Sequence, residues 1–121
     1  MVTEAQETAG LIGSDKVEGT NVYGAKREKI GSIERVMIDK RTGHVAYAVL
    51  SFGGFLGVGN DYYPIPWASL IYDTSLGGYR TNITEQQLKG APKYAGNNWD
   101  WEDRERGRKV HDYYGTPWIG Y

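Results

Sequence analysis

The chain has 121 residues, 40% of them hydrophobic and 24% charged; this favours one domain with a packed core and excludes global disorder. A formal charge of −1 leaves no basic excess to neutralise a run of phosphates, which argues against direct nucleic-acid binding as the main task. Without cysteine, disulfides, thiolate catalysis and cysteine-ligated zinc are excluded.

Residues 1–10 carry Glu4 and Glu7 but neither a basic start nor an apolar run. They read as a flexible lead-in and not as a signal peptide. No apolar stretch approaches the about 18 residues of a membrane span. The expected location is the cytoplasm, and peripheral attachment to a membrane surface stays compatible with this. Asn21, Val22 and Tyr23 make a first short strand that Gly24 ends. The basic residues Lys26, Arg27 and Lys29 have Glu28 among them and read as a solvated turn. Residues 30–39 form a second strand. Its apolar positions Ile30, Ile33, Val36 and Ile38 alternate only if one extra residue is absorbed, which predicts a β-bulge near Glu34 and Arg35. A turn over residues 40–43, with Gly43 supplying a positive φ, leads into a third strand over 45–52. Both faces of that strand are apolar: Val45, Tyr47 and Val49 on one, Ala46, Ala48, Leu50 and Phe52 on the other. Both must therefore be covered, as in a barrel with something packed outside it.

Residues 53–59 are a glycine-rich loop with Phe55 and Leu56 at its tip. The strand that follows, residues 62–67, contains Pro64 and Pro66. It must lie at an edge or corner, because proline donates no ladder hydrogen bond. Residues 69–72 continue as strand, 73–78 turn, and 79–83 form the last strand. Thr84 then opens a short helix as N-cap, with Gln87 completing a capping box and Ile83 and Leu88 a hydrophobic staple. Gly90 and Pro92 stop it. After Lys93 the character changes. Residues 99–114 read as a largely solvated helix, because no apolar residue lies between Trp101 and Val110, and Glu102–Arg106 and Glu105–Lys109 are spaced for ion pairs.

The order of these elements resembles the PRC-barrel family over residues 24–92. The resemblance is carried by Ile30-Gly31-Ser32-Ile33, Val36-Met37-Ile38-Asp39, Thr42-Gly43-His44-Val45, Gly53-Gly54-Phe55-Leu56-Gly57, Pro64-Ile65-Pro66-Trp67 and Thr84-Glu85-Gln86-Gln87-Leu88. It implies an all-β fold: a small closed or partly open barrel of about six strands with one short helix and a partly helical C-terminal extension. The expected organisation is a lead-in over 1–10, a barrel over 11–92 and an aromatic, charged extension over 93–121. The family includes the cytoplasmic domain of the photosynthetic reaction centre H subunit and the C-terminal domain of an rRNA-processing factor. It implies use as an assembly module in bacterial complexes and carries over no catalytic residue. The H subunit's transmembrane helix and the processing factor's N-terminal partner domain have no counterpart in this sequence, so neither specific role transfers.

No residue set predicts catalysis, a cofactor or a metal. The glycines of 53–59 run into a strand rather than a helix, which a phosphate site would require. His44 reads as a surface strand residue. His111 has Asp112 beside it and Asp100 nearby, but at a spacing that matches no familiar metal site. The alternating charges of residues 100–109 read as a solvated face. Aromatic residues are the main signal outside the core, since tryptophan and tyrosine are enriched at interfaces and also fasten tails to their own domain. The candidate protein-contact residues are Phe52, Phe55, Leu56, Trp99, Trp101, Tyr113, Tyr114 and Trp118. Self-docking, onto the barrel or a second copy, ranks ahead of a foreign partner. A core of residues 11–92 is close to the lower limit of comfortable stability, about 70–80 residues, so a homodimer is expected. The expected function is a non-enzymatic interaction module with an unidentified protein partner. The alternatives are a ribosome-linked factor that binds a ribosomal protein and a small-ligand-binding barrel.

Overall fold

The structure, a computed structural model, describes residues 10–52, 61–95 and 99–120. A one-turn helix α1 (Ser14–Val17) precedes β1 (Asn21–Tyr23), β2 (Lys29–Ile38), β3 (Val45–Phe52) and β4 (Asp61–Pro66). A 3-10 turn (Trp67–Ser69), β5 (Ile71–Asp73), β6 (Gly78–Arg80), helix α2 (Glu85–Lys89) and helix α3 (Arg104–Tyr114) follow. The strands form one sheet in the order β4-β3-β2-β1-β6-β5. All pairs are antiparallel except β1 with β6, which runs parallel. No ladder joins β4 to β5, so among the described residues the sheet is not closed by hydrogen bonds.

Local sequence signals account for much of this. The β2–β3 register shifts between Ile33 and Arg35, which places the expected bulge at Glu34. Gly43 turns the hairpin with φ +79°, a conformation that costs glycine no Cβ clash, and its N–H donates to the Asp39 carbonyl. At α2, Thr84 Oγ1 accepts the Gln87 N–H while Gln87 Oε1 accepts the Thr84 N–H, each at 3.0 Å. Ile83 and Leu88 are both buried beneath it.

Other expectations are corrected. Residues 69–72 are not a continuous strand: the chain leaves Pro66 in a 3-10 turn and enters β5 only at Ile71. The C-terminal helix begins at Arg104 rather than 99, because Asp103 caps it by accepting the Glu105 and Arg106 N–H groups. Glu102 thus lies outside the helix, and Arg106 pairs with Asp103 instead. The helix α1, tied by Thr20 Oγ1 donating to the Lys16 carbonyl, is too short to carry a periodic signal. The glycine-rich loop with Phe55 and Leu56 lies outside the described residues.

The main core joins Val22, Ile30, Ile33, Ala48, Leu50, Tyr63, Ile65, Tyr79, Ile83 and Leu88. A second, smaller cluster of Ala46, Tyr47 and Val110, with Met37, Trp99, Trp101 and Tyr114 packed on it, lies where the tail meets the sheet. The β3–β4 register sets Tyr47 opposite Pro66 and Val49 opposite Pro64, and all four are buried. Directly opposed residues share a face, so these mark the outer face of the sheet. The tail covers that face, which meets the expectation that both faces of β3 be buried. Among the described residues no helix is long and apolar enough to cross a membrane.

Candidate interaction surface

The aromatic tail is fastened to its own sheet. Tyr94 starts the attachment by exchanging two backbone hydrogen bonds of 2.9 Å with Tyr62 on β4. Trp99 and Trp101 pack next, tilted or edge-on, with ring centroids 5.8 and 6.3 Å from Tyr94 and 6.0 Å from each other. Trp101 also lies 5.6 Å from Tyr47, and the Arg106 guanidinium sits 5.4 Å above the Trp99 ring. Helix α3 then sets Val110 and His111, both buried, against the sheet. Its end is closed by the Thr116 N–H donating to the His111 carbonyl and the Gly115 N–H to that of Asp112, the Schellman pattern. Tyr113 Oη donates to the Gln87 carbonyl and so ties α3 to α2. Trp118 folds back under Arg108, 4.6 Å from its guanidinium.

Most candidate contact residues are therefore engaged within the chain. Trp99, Trp101 and Tyr114 are partly buried in the latch, Phe52 packs edge-on against Tyr63 at 5.8 Å, and Tyr113 keeps an exposed ring. Phe55 and Leu56 lie outside the described residues. His111 is built into the latch as well. Its Nδ1 stands 2.8 Å from the Gly107 carbonyl oxygen, and since a carbonyl only accepts, the proton sits on Nδ1. The Tyr47 hydroxyl is 3.4 Å from the same nitrogen. Burial pushes the Tyr47 phenol up to about 12 and raises Tyr114 as well. His111, Asp112 and Asp100 do not assemble: among the described residues no group of three or more His, Asp or Glu is placed to hold a metal ion.

What the latch leaves open is a band of three adjoining grooves. The first, about 440 Å³, lies between the end of the β2–β3 hairpin and Trp101. The second, about 360 Å³, is lined by His44, His111, Pro66, Trp67 and Pro117. It shares Asp39 and Ala46 with the first. The third, about 280 Å³, lies between Arg80 and Gln87 on one side and Tyr114 and Thr116 on the other. It shares Ala68 with the second. Thr116 Oγ1 and Tyr114 Oη, on residues lining it, are buried and have no hydrogen-bond partner among the described residues.

Each groove contains one large exposed aliphatic: Ile38 at 49% in the first, Ile119 at 55% in the second and Ile71 at 60% in the third. Nothing in the sequence marks these three residues as a set. Ile38 was expected in the alternating core pattern of β2, but a second register shift, between Met37 and Ile38, turns it outward. Ile71 and Ile119 sit in segments with no periodicity to separate inside from outside, and only the fold makes the three grooves adjoin through shared lining residues.

A family model described as PRC-barrel domain matches residues 10–88. No curated protein matches the chain.

Proposed function

The chain belongs to the PRC-barrel domain family, and from that premise we propose that it is a non-enzymatic interaction module whose contact surface is the band of grooves from Ile38 to Ile71. The observation that carries this reading is the coincidence of Ile38, Ile119 and Ile71 with the three adjoining grooves. Scattered exposed aliphatics need no explanation, but apolar side chains gathered along one concave band are the composition of a contact site. The tail aromatics shape the band and hold it in place rather than project from it. Homodimerisation, expected from the small core, is part of the proposal: sedimentation of the full chain over a concentration series tests it, and a monomer throughout removes it.

The test of the main reading is site-specific photo-crosslinking in the source cells. A photoreactive residue is placed in turn at Ile38, Ile119 and Ile71, with Glu85 on the exposed side of α2 as control. The expected result is one common adduct from the band positions and none from the control. Adducts that are equal from all four positions, or absent from all, reject the reading.

A small-ligand role is the second reading, favoured by the unpartnered hydroxyls of Tyr114 and Thr116 at the third groove. A metabolite that raises the melting temperature of the wild-type chain but not of Thr116→Val supports it. A screen without such a compound removes it.

A further inference from the structure

We infer that the first groove is a docking site for an acidic segment of a partner protein that carries one or two large apolar side chains. This deepens the interaction reading of the band and rests on it. The groove floor is apolar: Met37 and Trp101 lie partly buried, and Ala46 and Tyr47 are buried. Ile38 forms an exposed wall. A volume of about 440 Å³ is within the range of sites that enclose a compact apolar group with a few polar contacts at the mouth.

The rim is charged, and unevenly. Lys40, Arg41 and Arg104 are exposed around the groove. Among the described residues none of their side chains takes part in an ion pair or hydrogen bond. Of the two rim carboxylates, Asp39 accepts the backbone N–H of Arg41 at 2.9 Å and is engaged by its own turn. Glu102 is the other, so the three cations exceed the rim carboxylates by one. This local excess of positive charge stands on a chain whose formal net charge is −1, so it is not a reflection of overall composition. Unpaired cations beside a low-dielectric apolar floor attract anionic groups and steer their approach.

The shape selects among anionic occupants. A bilayer needs several apolar side chains that protrude past the charges, whereas Ile38 is the exposed one of this groove's apolar lining, and Ala46 and Tyr47 are buried. A small inorganic anion has no use for the floor. A peptide segment with carboxylates flanking an aliphatic or aromatic side chain uses both parts, the side chain seated against Trp101 and the carboxylates reaching Lys40, Arg41 and Arg104.

The test is to pan a random peptide library displayed on phage against the immobilised full chain. Enriched peptides are expected to be net acidic with at least one large apolar residue. Their affinity is expected to fall about tenfold or more in the double charge reversal R41E/R104E, to fall on raising the salt, to weaken in Ile38→Asp, and to be unchanged in Lys89→Glu on α2. Circular dichroism of the variants, all at exposed positions, verifies that they fold. Enrichment of neutral or basic peptides, acidic peptides indifferent to R41E/R104E, or no enrichment overturns the inference. So does co-sedimentation with phosphatidylglycerol vesicles, lost in R41E/R104E, without peptide enrichment, which assigns the cations to a membrane. If the band crosslinks to a partner while the peptides are not acidic, the inference falls and the interaction reading stands; if neither adduct nor peptide is found, both fall.

Discussion

Tyr47 is the side chain on which the tail closes: Trp101, His111 and Val110 all meet it from the tail side, and β3 holds it opposite Pro66. Its buried phenol loses its proton near 12 rather than at its ordinary 10. A phenol that stays protonated in the folded state while the unfolded chain ionises contributes stability that is full below pH 10 and is lost as pH rises from 10 towards 12. The chain is therefore expected to lose stability steeply above pH 10. Urea titrations across this range check it, with Tyr47→Phe showing a shallower loss. Gly31 makes a residue-scale prediction of another kind. A Cβ there would lie 2.5 Å from the Ser51 carbonyl oxygen, a backbone atom that cannot swing away. Gly31→Ala is expected to cost about 1–3 kcal/mol, read from the urea midpoint; an unchanged midpoint would show that β2 and β3 can separate locally at no cost.

At the scale of elements, helices α2 and α3 contrast in what holds them. Helix α2 is one turn held by its cap, so Thr84→Ala is expected to cost about 1 kcal/mol, measured by thermal unfolding. Helix α3 is capped at both ends and is fastened to the sheet through its buried residues Gly107, Val110 and His111. Val110→Ala is expected to cost about 2 kcal/mol and to red-shift the fluorescence of Trp99 and Trp101 as the latch loosens; a stability loss without the shift would separate Val110 from the latch. The same contrast explains what was legible in the sequence. The hairpin at Gly43, the bulge at Glu34 and the box at Thr84 are set by residues a few positions apart, and all three are found where the pattern puts them. The turn after Pro66, the outward twist of Ile38 and the delayed start of α3 depend on the register of neighbouring strands or on which of several acidic residues becomes the cap. The aromatic tail was legible as a packing element. The grooves it frames were not, because their walls come from residues 37–46, 66–71, 80–87 and 101–119, which no single window of sequence joins.

At the scale of the whole molecule, the tail supplies a second core that the sheet alone lacks. Without residues 93–121 the outer face of β3 and β4 would expose Tyr47, Val49, Pro64 and Pro66 together. A chain ending at 92 is expected to unfold at lower urea and to bind an apolar dye, compared with the full chain in the same assay. Equal midpoints would mean that the tail rides on the sheet without stabilising it.

The single parallel ladder has a consequence of its own. Strands β1 to β4 pair with their neighbours in sequence, and so do β5 and β6. Among the described strands, the ladder of Val22 with Tyr79 and Tyr23 with Arg80 is the one that joins strands far apart in the chain. Closing such a long loop is slow. As the chain emerges during synthesis, the four-stranded meander can assemble while the edge of β1 waits for β6 to appear. Sheet completion is thus timed by the arrival of Gly78–Arg80, and until then β1 is an open strand edge, the point at which a nascent copy is most exposed to wrong pairing.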